Sequence, residues 1–444
     1  MKKIQRILIM SVIVLGFISA PMNAIVQSVS AAPIPPNCTD STNSSVPYTV
    51  EICITSPDPS VPLTNPTATI TGTVTTVSGT NPGVQQMIFY LGSTYLLTSF
   101  ANPYTFTLPT TRYLDGTYNL SAQALMRDQS TTSVASISIT LATGTHTPPV
   151  NTNTFTPTSG NPANGQPFVV AAVGDGAGGE PNTTHVTDLI TTLNPNLFLY
   201  LGDVYEQGSI AEFYNWYGTG TFFDQFRSIT DPTVGHHEYL TAGAAPYYYY
   251  WDNIPEYYSF NANGWHFISL NSNGIDVGGL GPNNPEYKWL QADLAANPTV
   301  CTIAYFHHPL YSIGPEGVNP QLVDIWKLLA QNDVDIVLTG NDHDYERWMS
   351  MDGNGVPKLA GMTEFVLGVG GHSMQTVLNS DNRVAFWTDA NPAGFGALFL
   401  TLNPTFASFS YRSALNGSVL DSGNIGCVDP SLPIHVINLP LVLR

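Results

Sequence analysis

Positive charge is scarce in this chain. Lysine and arginine total 13 against 32 aspartates and glutamates, the formal net charge is -19, and charged residues are only 10% of the 444. Such an acidic chain repels the phosphate backbone, which argues against non-specific nucleic-acid binding. It does not exclude a small anionic substrate, because a bound cation dominates the field of its own site. Cysteine is scarce too: Cys38, Cys53, Cys301 and Cys427 stand apart, with no CxxC metal spacing. An even number in an exported chain suggests disulfides, with three pairings open. Cys38–Cys53 with Cys301–Cys427 is the pairing that would close a local loop and tie the tail to the larger domain. Long apolar runs are missing except at the start, where Lys2, Lys3 and Arg6 precede Ile7 to Ala20, and small residues follow at Ser30, Ala31 and Ala32. This run is short for a span and reads as a secretory signal peptide over residues 1–32. The expectation is a secreted or extracytoplasmic protein, cell-surface association included, with no transmembrane span after cleavage.

Helical periodicity is absent from residues 49–142. Apolar and polar residues alternate there with period two, as in Ala68 to Thr75, Gln86 to Leu91, Tyr104 to Leu108, Tyr118 to Ala124 and Ser136 to Leu141. Gly and Pro punctuate these runs, which predicts a small antiparallel sandwich of immunoglobulin-like type. It carries no acid/base pair and no metal cluster, so its default role is structural. Residues 33–48 read as a loose leader, and 143–165, rich in Thr, Pro and Asn, as a linker. From 166 to 427 strands alternate with helices predicted at Thr184 to Leu193, Ser209 to Trp216, Asn284 to Ala296 and Pro320 to Gln331. Strands are predicted again at Phe365 to Val369, Ala397 to Leu402 and Ala407 to Tyr411. An apolar, Pro-containing tail, 428–444, has no functional reading.

Within the larger domain five apolar runs each end in polar residues. Phe168 to Val173 leads into Gly174-Asp175, and Leu197 to Leu201 into Gly202-Asp203-Val204-Tyr205. Pro232 to Val234 leads into Gly235-His236-His237-Glu238, and Cys301 to Phe306 into His307-His308-Pro309. Val334 to Leu338 leads into Asn341, His343, Asp344, Tyr345, Glu346 and Arg347. In α/β sheets ligands collect at the carboxyl ends of strands. Asp, His and Asn gathered there suit hard and borderline metal ions.

In order, these blocks read GDGAGG, GDVYE, GHHE, FHHP and GNDHDYER. The set resembles the calcineurin-like metallophosphoesterases, and within them the purple acid phosphatases, over roughly 166–415. The resemblance implies a four-layer α/β/β/α sandwich, preceded here by the small all-β immunoglobulin-like sandwich. It implies two metal ions per chain, iron with zinc, manganese or a second iron. The first would take Asp175, Asp203, Tyr205 and His343. The second would take Asp203, His236, His307 and Asn341, with Asp203 as the bridge. It also implies hydrolysis of a small phosphate ester, mono- or diester, by a metal-activated water, with His237 beside the phosphate and His308 as a second candidate acid.

Three departures stand out. His236 replaces the family's Asn and Asn341 replaces its His, an exchange that leaves one carboxylate, two imidazoles and one amide oxygen around the second metal. Tyr205 lies two residues after Asp203 where the family has three, and a one-residue slip in extended chain reverses a side chain. Ala177 leaves no DxH pattern after Asp175, which agrees better with the purple acid phosphatase branch than with the metallophosphoesterases at large. No His occurs in Tyr311 to Asn319, where some relatives carry their acid. Glu238, Asp344, Glu346 and Arg347 read as loop braces, and His372, His185, His266 and His435 as structural. The aromatic run Tyr247 to Trp251, with Tyr257 and Tyr258, reads as loop packing rather than a sugar pocket. The competing reading is a degenerate phosphatase fold used for extracellular binding.

Overall fold

The computed structural model describes residues 37–43, 45, 47–158, 166–299 and 301–427. The expected signal peptide, the end of the linker and the apolar tail lie outside the described residues.

The first eight strands are β1 (Cys38–Asn43), β2 (Tyr48–Ser56), β3 (Ala68–Gly79), β4 (Val84–Leu91), β5 (Thr94–Ser99), β6 (Tyr104–Leu108), β7 (Gly116–Met126) and β8 (Ala135–Leu141). They form two antiparallel sheets, β1-β2-β3-β6 and β5-β4-β7-β8. The inward residues, among them Ile52, Ile70, Phe89, Phe106, Leu120 and Ile139, make one core. That is the sandwich the alternation predicts. The leader is different from expectation: residues 38–43 are not loose but pair with β2, Cys38 opposite Cys53, and those two cysteines are bonded. Polar residues suffice because β1 is an edge strand with a single neighbour.

The larger domain contains β9 (Phe168–Val173), α1 (Asn182–Leu193), β10 (Leu197–Tyr200), α2 (Ile210–Glu212), α3 (His236–Leu240) and α4 (Ala245–Tyr250). β11 (Tyr258–Ala262), β12 (Trp265–Ser269), α5 (Pro285–Ala296), β13 (Thr302–Tyr305), α6 (Val323–Gln331) and β14 (Ile336–Thr339) follow. The last strands are β15 (Tyr345–Trp348), β16 (Thr363–Leu367), β17 (Val384–Thr388), β18 (Gly396–Asn403), β19 (Phe406–Ser413) and β20 (Val419–Gly426). One sheet runs β10-β9-β18-β19-β20 and the other β11-β12-β13-β14-β16-β15-β17. Successive side chains of β12 to β14 face opposite ways. Phe267, Ile303, Tyr305, Ile336 and Leu338 join Val170, Phe198 and Leu398 between the sheets. Ile268, Ala304 and Val337 join Leu290 and Leu294 of α5 and Ile325, Trp326 and Leu329 of α6. With α1 against the other sheet at β18, this is the expected mixed α/β layering, rich in strands and poor in helix. Cys301 and Cys427 are bonded, tying β13 to the end of β20.

Two local expectations fail. Pro232 to Val234 forms no strand. It runs beside β10, with Asp231 N–H on Phe198 O at 2.9 Å and Thr233 N–H on Tyr200 O at 2.9 Å, but Pro232 has no N–H for a neighbour on its other side. The helix expected over 209–216 stops at Glu212 and widens into a π-helical turn, Phe213–Tyr217, closed by Gly218 N–H on Phe213 O at 3.1 Å. Buried Phe213 and Tyr217 draw the turn open.

Candidate metal centre

The loops after β9, β10, β13 and β14 converge. Three of the residues they carry have left-handed backbones: Asp175 (φ 60°), Asp203 (φ 67°) and Asn341 (φ 71°). Such conformations are strained for non-glycine residues and persist where the surroundings enforce them. Here the surroundings are visible. Asp175 N–H donates to Gly202 O at 3.1 Å, and Asn341 N–H to Asp175 Oδ2 at 3.0 Å. Buried Glu238 accepts from the amides of Val204 (2.6 Å), Gly235 (2.7 Å) and Asp203 (3.2 Å), the bracing expected of it. Gly235 is required: a Cβ there would strike the carboxylate and amide of Asp203.

Two clusters result. In the first, the Tyr205 hydroxyl lies 2.6 Å from Asp175 Oδ1 and 2.8 Å from His343 Nε2, and His343 Nε2 is 3.6 Å from Asp175 Oδ1. The short GDVY spacing therefore does not swing Tyr205 away from Asp175 and His343. In the second, His236 Nδ1 and His307 Nε2 are 3.0 Å apart and each is 3.3 Å from Asp203 Oδ2. That oxygen is fully buried and, among the described residues, has no hydrogen-bond partner. Asp175, Asp203 and His307 offer ligand atoms all within 4.8 Å of one another, which links the clusters through Asp203. Asn341 meets the site through its backbone amide.

Backbone carbonyls aim the imidazoles. His307 Nδ1 is held by Leu201 O at 2.9 Å, His343 Nδ1 by Ser373 O at 2.6 Å and His237 Nδ1 by Glu206 O at 2.6 Å. Each contact makes Nδ1 the donor and turns Nε2 toward the carboxylates. Burial disfavours charge on Asp203 but is outweighed by His307, His236 and His237, which hold its carboxyl well below the usual range. Burial likewise opposes the His307 imidazolium; the Asp203 carboxylate outweighs it and raises His307 to about 10. Burial lowers His236 and pushes His308 well below its ordinary value.

His237 Nε2 stands 3.9 Å from Asp203 Oδ2. His308 Nδ1 pairs with Ser272 Oγ at 2.9 Å, and its ring lies 5.4 Å from that of His236. Glu346 accepts from Ser312 Oγ, Ile313 N and Trp348 Nε1 and so braces a loop, whereas Arg347 of β15 grips Asp421 of β20 at 2.7 and 3.1 Å and ties the two sheets. Two features escaped the sequence. The strand end after β12, Asn271-Ser272-Asn273, is buried and supplies the partner of His308; its signal was the apolar run from Trp265 followed by three polar residues. His372 stacks on Tyr205 with ring centroids 3.9 Å apart and lies 2.6 Å from Glu180, so it supports the first cluster. The aromatic run packs as expected: Tyr250 meets Trp251, Phe213 and Tyr217.

Comparison with known proteins reaches the same loops. Residues 168–345 match the family of calcineurin-like phosphoesterases. The chain carries a calcineurin-like metallophosphoesterase domain. Residues 51–122 match a bacterial Ig domain. Purple acid phosphatase 23 of Arabidopsis thaliana is 28% identical over 223 residues, 41% of this chain and 48% of that protein. Purple acid phosphatase 18 of the same plant is 30% identical over 158 residues, 34% of this chain and 35% of that protein. The chain thus spans at most about half the length of these curated relatives. The structure of purple acid phosphatase PPD1 from yellow lupin seeds overlays with a TM-score of 0.50 at 17% identity, covering 88% of this chain and 83% of that one; the likeness is one of fold. The residues that the metallophosphoesterase domain brings together also fit metal ions by their chemistry. Carboxylate, imidazole and phenol donors converge, and among the described residues the buried Asp203 Oδ2 makes no hydrogen bond, its nearest groups being two imidazole nitrogens at 3.3 Å.

Proposed function

We propose that the protein is an exported, binuclear metal-dependent phosphoesterase acting on small phosphate monoesters, with diesters as a second substrate class. The observation that carries this reading is the orphaned Asp203 Oδ2, 3.3 Å from both His236 Nδ1 and His307 Nε2. A buried carboxylate oxygen without a donor is costly unless a cation compensates it. Asp203, His236, His307 and Asn341 would hold one ion and Asp175, Tyr205 and His343 the other, with Asp203 shared. Bound metals clamp phosphate oxygens and lower the pKa of water to make a nucleophile. The chain's own groups orient and move the proton. His237, its Nδ1 fixed by Glu206 O, presents Nε2 at the edge of the cluster, where it can pass a proton to the leaving oxygen. His308, kept neutral by burial, lies behind His236 with Nδ1 tied to Ser272.

The domain has few cations to hold a polyanion, which favours small esters. Arg227, Arg347 and Arg383 are each engaged by a carboxylate, Asp252, Asp421 and Asp381. The two disulfides and the Ig-like domain agree with an extracytoplasmic location. The test is aryl phosphate hydrolysis by the purified protein before and after chelation. Turnover that is lost on chelation and returns with iron, zinc or manganese is expected; no metal-dependent turnover with any of them overturns the reading.

A further inference from the structure

The Ig-like domain reads from sequence as a spacer, yet it reaches the loop that carries Asp203. The link is Glu212, fully buried at the junction. Its Oε1 accepts from the hydroxyl of Tyr95, on β5 of the Ig-like sandwich, at 2.6 Å, and from the backbone amide of Glu206. Its Oε2 accepts from the amides of Gln207 at 3.0 Å and Ser209 at 2.9 Å. One carboxylate therefore joins the Ig-like domain to two consecutive amides that directly follow Tyr205. The carbonyls of the same two residues hold α3 and the residue that ends it: Glu206 O holds His237 Nδ1 at 2.6 Å, and Gln207 O accepts from Thr241 Oγ1 at 2.7 Å. Tyr95 is itself fixed by Thr98 Oγ1 at 2.9 Å.

We propose that Tyr95 is a positioning residue: through Glu212 the Ig-like domain sets the Glu206–Gln207 backbone and thereby aims His237. Four donors on one buried carboxylate make a rigid node, because each donor left unpaired would be penalised. The Tyr95 hydroxyl comes from outside the domain that holds the node, so the Ig-like sandwich is part of the site's framework. A neighbouring contact does not have this reach. Asn215 bonds Thr107 of β6 in both directions, Oδ1 from Thr107 N–H at 2.8 Å and Nδ2 to Thr107 O at 2.9 Å, but is not tied to the 203–207 loop.

This contrast provides the test, in the full chain. Tyr95→Phe keeps the ring and removes only the hydroxyl; Asn215→Ala removes both interface hydrogen bonds to Thr107, together with the bond to Ala211 O, and leaves the four donors on Glu212 in place. Amide hydrogen exchange is measured at Glu206 and Gln207, alongside thermal unfolding and aryl phosphate kinetics. Tyr95→Phe is expected to speed exchange at both amides by about tenfold and to lower kcat severalfold while KM stays within about twofold. Asn215→Ala is expected to lower the unfolding temperature without changing either. Wild-type exchange at 206 and 207 in Tyr95→Phe, or the same response in both variants, overturns the proposal. Only the rate arm rests on the phosphoesterase reading: a wild-type protein without turnover would defeat that reading, and the exchange arm would still decide this one.

Discussion

The two halves of the candidate metal centre satisfy their polar atoms in opposite ways. In the half made by Asp175, Tyr205 and His343, the tyrosine hydroxyl sits between the other two at 2.6 and 2.8 Å. His343 gives Nδ1–H to Ser373 O, so its Nε2 can also donate only as imidazolium. Burial lowers His343 but is outweighed by Asp175, so the net direction is upward. This half closes on itself through protons. In the half made by Asp203, His236 and His307, two imidazole nitrogens approach one carboxylate oxygen, and that oxygen has no hydrogen bond. The lesson concerns where a cation gains most. In the first half it must displace protons that are already well placed. In the second it meets a buried carboxylate oxygen that makes no hydrogen bond and is offset only by the imidazoles 3.3 Å away.

The sharpest way to break this contrast is to remove the orphan oxygen. Asp203→Asn is expected to lower the aryl phosphate rate by more than the roughly hundredfold that outer partners of metal ligands cost. Metal analysis then tells whether the halves are separate. Because Asp203 also lies within reach of Asp175, both ions should be lost. Retention of one ion in the Asp175 half would mean that Asp203 serves one ion alone.

Much of this centre was legible in the chain, for a definite reason. Buried strands are apolar, so Asp175, Asp203, His307 and His343 stand out where four such strands stop. What stayed hidden is carried by the backbone or by distant partners. Leu201 O, Ser373 O and Glu206 O choose the histidine tautomers, and a carbonyl leaves no mark on residue identity. Tyr95 and Glu212 are 117 residues apart in the chain, and neither belongs to a block with a period or spacing. The leader strand was missed because its polar residues carry no alternation; pairing with β2 and the Cys38–Cys53 bond hold it. The run at Pro232 misled because an apolar stretch before a glycine looks the same whether or not a ladder forms on both sides.

A second test sharpens the contrast through pH, with the metals chelated. His307 is raised from 6.5 to about 10, burial opposing and Asp203 outweighing it. A histidine whose folded value exceeds its unfolded one binds its proton more tightly when folded. Its contribution is complete below about pH 6.5 and is lost as pH rises toward about 10. His236, lowered by burial, works in the opposite sense but only below about pH 6.5, so between pH 6.5 and 10 the loss should be on the order of 4 kcal/mol. Denaturant unfolding of chelated protein between pH 6.5 and 10 measures it. Asp203→Asn should flatten the slope; an unchanged slope would mean that the charge pair is not what holds this half.

The smallest expected effect tests the second half's unusual ligand set. His236 stands where the family has Asn, and Asn341 where it has His. The structure seats His236 against His307 and Asp203, while Asn341 contributes its backbone amide to Asp175. If both side chains serve one ion, they act as a unit. His236→Asn alone leaves that ion two amides and one imidazole; Asn341→His alone gives it three imidazoles. Each single change should cost about tenfold in metal affinity or rate. The double change restores the family's arrangement and should recover much of the loss, since residues that share a partner are not additive. The measurement is a double-mutant cycle on metal content and turnover. Simple addition would place Asn341 outside the coordination set, with its left-handed backbone serving only to brace Asp175. Recovery in the double variant would instead show that two substitutions 105 positions apart by number, 341 less 236, compensate each other at one ion.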